Sequence, residues 1–316
     1  MRQSARFLVL AAVFGAIFIG SLFVGRYSRA DELGTTIILK RRLPRILSAA
    51  MLGIALSISG TVLQSAFKNP LVGPEILGVS QGAAFGAAFV ILFLPRDPIT
   101  MEALSTVFGL LALLASYAIS STIRYGGRIL RLVLAGLAIS AMFSGGVGIM
   151  KYLADPLKQL PELTFWLLGG LSGVTWKDFL YMTPLALVGI TLLLIARWRV
   201  NLLTLEDDIV VSLGTDPGKL RALVVTSAVV ATAAVTSVAG IIGWVGLTVP
   251  HMTRKIFGAE SSDVIPASAL LGATLVVVSD DMARTVSASE IPLGIITSLL
   301  GATLFIFMLS RRGINE

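Results

Sequence analysis

The sequence predicts an all-α polytopic membrane protein, and this expectation rests on its composition, its hydropathy and the spacing of its apolar stretches. Of the 316 residues, 55% are hydrophobic and only 14% are charged, and the mean hydropathy is +0.89. This balance is unlike that of a water-exposed globular surface. Long uncharged stretches recur along the chain, and a transmembrane helix needs about 20 such residues. The composition excludes a disordered chain, a secreted disulfide scaffold and an ordinary cytosolic enzyme.

The uncharged stretches define the candidate spans. One of them, residues 222–250, would form a helix of about 43 Å, which exceeds the roughly 30 Å of a hydrocarbon core. It contains a proline and three glycines, of which Gly240 is the first. We therefore divide it near Gly240 into two spans, the second short, which makes ten in all. The predicted spans are 7–24, 46–66, 76–94, 103–122, 132–150, 179–196, the two parts of 222–250, 264–279 and 291–310.

The apolar segment from Leu163 to Trp176 is too short to span a membrane. It has 14 residues and two tryptophans, and Gly169-Gly170 interrupts it, as is typical of an interfacial or re-entrant helix. The N-terminal stretch has the length of a signal peptide, but more spans follow and no small-residue cleavage site precedes Arg26, so we expect it to be retained. The loops are short, and residues 1–316 are expected to form a single transmembrane domain.

The basic residues indicate an orientation. Ten spans place both termini on one side. If that side is the cytoplasm, 14 of the 25 lysines and arginines lie inside, in weak agreement with the positive-inside rule. Six of the other 11 form one outer group, which either docks an acidic partner or contacts lipid phosphates. The members of this outer basic group are Arg26, Arg29, Lys40, Arg41, Arg42 and Arg45.

The chain offers little for catalysis or ion coupling. It has no cysteine and one histidine, His251, which excludes thiolate metal sites and thiol nucleophiles. We expect His251 to have a structural role at the end of the eighth span. An ion-driven carrier would need an acid within the membrane, and the candidates are Asp280 and Asp281. The i, i+4 spacing of Asp280 and Arg284 predicts a structural ion pair, with a proton relay as the alternative.

The longest inner polar loop runs from Leu205 to Arg221. Three acids, Glu206 to Asp208, suit a helix N-terminus, and Pro217 suits the first turn of another helix. The Gly214–Leu220 stretch is not a P-loop, because it has one residue too few between its glycines and leucine after its lysine. Two short helices here would form a docking surface for a separate ATPase, and an ordinary surface loop is the alternative.

The polar break from Lys68 to Pro74 joins two spans that are rich in glycine and serine. Within a membrane, such a break must be buried in protein or face water. It is either a mobile, gating loop or a tight connector. The small residues of the flanking spans allow close helix packing and could equally line a passage.

Short motifs occur in a fixed order over nearly the whole chain. They are Arg42-Leu-Pro-Arg45, Ser59-Gly60 with Gln64, Asn69-Pro70-Leu71, Leu77-Gly78-Val79-Ser80 with Gly82-Ala83, Trp166-Leu-Leu-Gly169-Gly170, Ser212-Leu213-Gly214, Gly246-Leu247 before Pro250-His251 and Arg254, and Glu290-Ile-Pro-Leu-Gly294. Together they resemble the FecCD family of ABC importer permeases, which carry ferric siderophores, haem, vitamin B12 and metal oxyanions. Thr303 stands where the family commonly has proline, a departure that concerns the local shape of the last helix.

The resemblance implies a type II ABC importer permease with ten transmembrane helices. It implies a homodimer around one central path, two ATP-binding-cassette ATPase subunits and an extracytoplasmic substrate-binding protein. ATP and Mg would be held by the ATPase, and this chain would contain no catalytic, cofactor-binding or metal-binding residue. The protein would lie in the cytoplasmic (inner) membrane of a prokaryote, with both termini in the cytoplasm.

The resemblance also assigns three groups of residues. The gate residues are Asn69, Pro70, Leu71, Ile129 and Leu130. The ATPase-coupling residues are Glu206, Asp207, Ser212, Leu213, Gly214 and Lys219, and those that dock the binding protein are Arg42, Arg45 and Arg284. The expected cargo is a bulky metal chelate, with an iron–siderophore as the first choice and haem, cobalamin or a metal oxyanion open. An ion-coupled secondary transporter or a channel is the alternative function.

Overall fold

A computed structural model describes residues 3–25, 36–95, 97–287 and 289–310. Within these ranges the chain forms twelve α-helices, which confirms the all-α prediction. They are α1 (Gln3–Phe23), α2 (Leu43–Ala66), α3 (Val79–Phe93), α4 (Pro98–Thr122), α5 (Arg128–Leu153), α6 (Gln159–Leu167), α7 (Trp176–Val200), α8 (Asp207–Ser212), α9 (Pro217–Ala239), α10 (Val245–Phe257), α11 (Ser261–Thr285) and α12 (Leu293–Ser310). A π-helical turn, Ile38–Arg42, leads into α2, and a 3-10 turn, Pro74–Leu77, precedes α3.

Ten of these helices coincide with the ten predicted spans. Within the described ranges, seven are long and apolar enough to cross a membrane, namely α1, α2, α4, α5, α7, α9 and α11, while α3 and α12 are shorter apolar helices. The eighth predicted span is α10, which has only 13 residues. The division near Gly240 is confirmed, because Gly240 ends α9 with a φ of +68°.

The bundle has two ends, which we name after residues in them. At the Arg45 end, α2 begins, and α1 and α11 end. At the Asn69 end, α2 ends and α11 begins. Arg6 of α1 donates to the Ile256 carbonyl near the end of α10. His251 contacts Phe305 of α12. Helix α1 therefore begins, and α12 ends, at the Asn69 end.

Helix α2 is the centre of the bundle. It is buried along most of its length and packs against α7, α9, α10 and α11. A Cβ atom at Gly53 would lie 2.2 Å from the Gly272 carbonyl oxygen of α11, and one at Gly60 would lie 1.8 Å from that of Gly246 in α10. Small residues let helix backbones approach closely in membranes. These glycines of α2 therefore serve packing.

Two interruptions of helical structure, at Gly169-Gly170 and at Gly240, contact each other at the Arg45 end and fix the position of the short helix α6. Gly169 has a φ of +70°, and the Gly170 N–H donates to the Ala239 carbonyl over 2.8 Å. A Cβ atom at Gly240 would lie 2.1 Å from the Trp166 carbonyl oxygen. Helix α6 therefore stays at one end of the bundle, as predicted for the segment from Leu163 to Trp176. It begins earlier than predicted and ends before the glycine pair.

Replacing Gly60 by alanine should destabilise the protein, because the new methyl group would push α2 away from α10. Overpacking of this kind typically costs about 1–3 kcal/mol. Gly15 of α1 is the control, since a Cβ atom there meets nothing within 4 Å. Thermal unfolding of the detergent-purified variants should show a lower melting temperature for G60A and an unchanged or higher one for G15A. Equal melting temperatures would contradict the packing described here.

Candidate functional site

The segment that joins α2 to α3 forms a tight turn at the Asn69 end, which we call the Asn69 turn (residues 68–73). The Asn69 side-chain oxygen accepts a hydrogen bond from the Leu71 N–H over 2.9 Å, a local contact typical of asparagine in turns. The Asn69 N–H donates to the Gln64 carbonyl over 3.1 Å. The Pro70 carbonyl oxygen lies 2.9 Å from the Nε2 atom of His251. The turn is therefore anchored to both α2 and α10.

The second predicted gate pair lies at the same end. Ile129 and Leu130 open α5. Ile129 packs against the core and lines a cavity of about 430 Å³ together with Phe67, the residue that follows α2. Leu130 and Leu71 are exposed apolar side chains, and Leu71 is 57% exposed. The structure thus brings both predicted gate segments to one end of the bundle, and their role as a gate stays a prediction.

One carboxylate links the predicted coupling segment to the predicted gate. Asp207, the first residue of α8, lies 3.0 Å from the Arg221 guanidinium and 3.8 Å from the Lys68 ammonium. Arg221 of α9 also donates from Nε to the Ala66 carbonyl at the end of α2 over 3.1 Å. Because Lys68 is the first residue of the Asn69 turn, this ion pair connects α8 to the turn. The sequence alone did not predict that Asp207 pairs with Lys68 and Arg221.

The rest of the coupling segment is exposed. Leu213 is 59% exposed, Lys219 is largely exposed, and Ser212 donates only to Ile209 in its own helix. Glu206 immediately precedes α8, and Gly214 has a φ of +78°. These residues present an apolar and polar surface at the Asn69 end.

The prediction of two short helices in this segment is wrong in one respect. Only α8 is short, whereas Pro217 begins α9, a 23-residue helix that is long enough to cross the membrane. Asp216 caps α9 by accepting hydrogen bonds from the Gly218 and Lys219 N–H groups over 2.8 and 3.1 Å. A capped N-terminus with proline in its first turn continues smoothly into the following apolar run.

The arginines predicted to dock a partner are buried in an ionic network at the Arg45 end. Arg45 lies 2.9 Å from Asp280 and 2.9 Å from Glu290. Arg284 lies 3.2 Å from Asp280, which confirms the predicted i, i+4 pair, and it also pairs with Asp281. The side chains of Arg45, Arg284 and Asp280 are only 12%, 7% and 1% exposed.

The network also holds α1 in place. Arg42, itself buried, donates to the Leu22 carbonyl over 2.8 Å. Ser21 donates to Asp281 over 2.6 Å and accepts from Arg284 over 2.8 Å. Arg45 and Arg284 face three carboxylates, those of Asp280, Asp281 and Glu290, so the charges of the network largely cancel.

The docking role therefore stays a prediction. Among the other members of the outer basic group, Lys40 and Arg41 are exposed next to the network. Arg26 and Arg29 lie outside the described residues.

Sequence reasoning missed a second set of contacts around α10. Arg254 donates to the Gln64 side-chain oxygen and to the Thr61 carbonyl of α2. Glu75 is half-buried, and its carboxylate accepts a hydrogen bond from the Trp244 backbone. Trp244 has a φ of +70°, an unusual conformation for a residue with a side chain. The signal in the sequence for these contacts was that Gln64, His251 and Arg254 belong to the family motifs.

Replacing Arg45 by methionine should destabilise the protein strongly, because Asp280 and Glu290 would lose their shared partner. Removing one member of a buried ion pair costs up to about 3–5 kcal/mol, and the cost here is smaller because Asp280 keeps Arg284. Arg41, which is exposed, provides the matched control as R41Q. We expect thermal unfolding in detergent to show a markedly lower melting temperature for R45M alone. If R45M unfolded like the parent protein, Arg45 would be free to serve a partner instead of the fold.

Known proteins of one kind match this chain over nearly its whole length. The model of the FecCD transport family matches residues 5–311. The molybdate import system permease protein MolB of Haemophilus influenzae is 36% identical over 98% of this chain and 96% of its own length. The hemin transport system permease protein HmuU of Yersinia pestis is 39% identical over 86% of this chain and 82% of its own. A solved metal-chelate type ABC transporter in an inward-facing conformation has a TM-score of 0.92 at 34% identity, covering 98% of this chain and 99% of that one.

Proposed function

The chain belongs to the FecCD transport family and is an ABC importer permease; from that premise we propose that it carries a bulky metal chelate delivered by an extracytoplasmic binding protein. An iron–siderophore is the first candidate cargo, and haem, cobalamin or a metal oxyanion are the others. Relatives named for molybdate and hemin support a metal-containing cargo. ATP hydrolysis belongs to a separate ATPase subunit.

The observation that carries this function is the link through Asp207. An importer permease must convert the motion of an ATPase into the opening of a path. Here α8 presents the exposed Leu213 to a partner, while Asp207 at its other end holds Lys68 and Arg221. Because charge pairs and packed helices transmit displacement as discrete rearrangements, α8 and the Asn69 turn would move together. The ATPase would therefore dock at the Asn69 end, which lies in the cytoplasm in the proposed orientation.

The path itself requires a second subunit, and we assign it to a homodimer. Helices α5 and α12 expose rows of apolar side chains, including Leu134, Leu137 and Met142 on α5 and Leu299 on α12. In a membrane such faces contact lipid or another subunit. A dimer through α5 would bring two copies of Leu130 and Leu71 towards one axis. The gate residues Asn69, Pro70, Leu71, Ile129 and Leu130 would then narrow the inner end of the path.

The opposite end would receive the binding protein. The family resemblance assigns Arg42, Arg45 and Arg284 to this surface, and the exposed Lys40 and Arg41 extend it. Complementary charges mainly raise association rates and are screened beyond about 8–10 Å at physiological salt. We propose that the exposed pair steers an acidic partner, while the buried arginines hold the surface in shape.

Replacing Leu213 by glutamate should uncouple ATP hydrolysis from uptake, because a charge would replace an apolar contact at the ATPase interface. The measurement is ATP-driven uptake and ATPase activity in vesicles reconstituted with the partner ATPase and binding protein. Leu157, which is 88% exposed after α5, gives the control L157E. We expect L213E to lower uptake at least about tenfold, as the loss of roughly 1.4 kcal/mol of coupling would.

Two results would contradict the proposal. One is normal ATP-driven uptake by L213E. The other is uptake driven by an ion gradient without any ATPase, which would favour the alternative of a secondary transporter.

A cysteine at Leu71 should crosslink across the dimer if the Asn69 turn narrows the central path. The native chain has no cysteine, so any disulfide must come from the introduced residue. Because Cα atoms must come within about 7 Å for a disulfide, crosslinking should depend on the nucleotide state. A cysteine at Leu8, exposed on α1, is the control. Absence of L71C crosslinking in every nucleotide state would refute the gate assignment.

A further inference from the structure

A cavity of about 430 Å³ lies at the Asn69 end between α10 and α12. Helix α10 contributes His251, Arg254 and Lys255, and α12 contributes Phe305 and Met308. Positions i, i+3 and i+4 lie on one face of a helix, so the three basic side chains of α10 face the same space. The volume is within the range of pockets that bind small ligands.

The cavity adjoins the Asn69 turn, because Pro70 forms part of its wall. The contacts that hold His251 there include its Nε2 atom, 2.9 Å from the Pro70 carbonyl oxygen, and its ring, whose centroid lies 5.6 Å from that of Phe305. The walls thus combine an apolar side from α12 with a positively charged side from α10.

Arg254 and Lys255 have no acidic partner among the described residues. Within the described part of the chain, the acceptors of Arg254 are both neutral, the Gln64 side-chain oxygen and the Thr61 carbonyl. No aspartate or glutamate of the described chain lines the cavity, and none forms an ion pair with Arg254 or Lys255. The guanidinium is therefore held in position by hydrogen bonds while its charge stays uncompensated.

Three other cations at this end are paired with aspartates. Lys68 and Arg221 share Asp207, and Lys219 lies 3.9 Å from Asp216. The dipole of α10 favours cations in its last turn, which explains basic residues at positions 254 and 255. It does not explain a cavity in front of them. A partly buried charge without a partner is costly, and a bound anion would remove that cost.

We propose that this cavity binds an oxyanion group, either as a small free ion such as molybdate or phosphate or as a phospholipid headgroup. The planar guanidinium of Arg254 can bind two oxygens at once, and Lys255 adds a point charge. Basic pockets between transmembrane helices on the cytoplasmic side are typical sites for anionic headgroups. A bound anion would lie beside Pro70, so its binding would depend on the conformation of the Asn69 turn. The site goes beyond the proposed function, because binding requires neither the ATPase nor the binding protein.

The test uses the detergent-purified full chain and two probes, molybdate and inorganic phosphate, in equilibrium dialysis. K255Q removes a charge without removing any described contact, and R254Q removes the guanidinium. R199Q is the matched control, since Arg199 is exposed in the last turn of α7 at the same end. Hydrogen bonds to charged groups contribute enough that each cavity variant should weaken probe binding about tenfold or more. R199Q should bind like the parent protein.

Repeating the measurement in nanodiscs distinguishes a phospholipid headgroup from a small free ion. If phosphatidylglycerol lowers probe binding to the parent protein and phosphatidylcholine does not, the site binds a lipid headgroup. R254Q should show no such effect of phosphatidylglycerol. Binding of the free ions in phosphatidylglycerol nanodiscs identifies a small ion. The proposal is overturned if none of the three anions binds, or if K255Q and R254Q bind as well as the parent, or if R199Q weakens binding as much as they do. A failure here leaves ATP-driven uptake, and with it the proposed function, unaffected.

Discussion

The fold depends on the close approach of other backbones to α2. This helix has neighbours on every side, and two of them, α10 and α11, reach its backbone at Gly60 and Gly53, where a methyl group would collide with a carbonyl oxygen. In lipid the hydrophobic effect does not drive helices together, so close packing and hydrogen bonds between helices must do so. Ser57 and Thr61 supply such bonds to Ser268. Because α2 is fixed in this way, its two ends hold the Arg45 network and the Asn69 turn in defined positions.

The functional contacts at the Asn69 end follow from this arrangement. The end of α2 presents the Ala66 carbonyl to Arg221, and Lys68 lies next to it, so Asp207 of α8 can hold both cations. On the other side, α10 holds the Pro70 carbonyl through His251. The Asn69 turn therefore lies between two contacts, one to the segment that would meet an ATPase and one to a short helix deep in the bundle. This position suits a turn that must move when α8 moves.

Charge is distributed differently at the two ends. At the Arg45 end, buried arginines and carboxylates balance and join α1, α2 and α11, so they stabilise the fold before they can serve a partner. At the Asn69 end, Arg254 and Lys255 face a cavity without an acid among the described residues. Buried charges are tolerated in membranes when they are paired. The two groups of charges therefore have different roles. The ion pairs at the Arg45 end hold helices together, and the cations at the cavity can bind an anion.

The sequence by itself determined the ten spans, the break at Gly240, the short α6 and the Asp280–Arg284 pair, because span length, glycine and helical spacing act locally. The family motifs also placed the predicted gate and coupling residues, and the structure brings them to one end. Only the tertiary structure decided which charged and polar groups contact each other. Asp207 reaches Lys68, Arg45 reaches Asp280 and Glu290, and His251 reaches Pro70 across long stretches of chain. These pairings depend on how helices cross, and crossing is set by backbone contacts such as that of Gly60 with Gly246, which no local pattern of residues encodes.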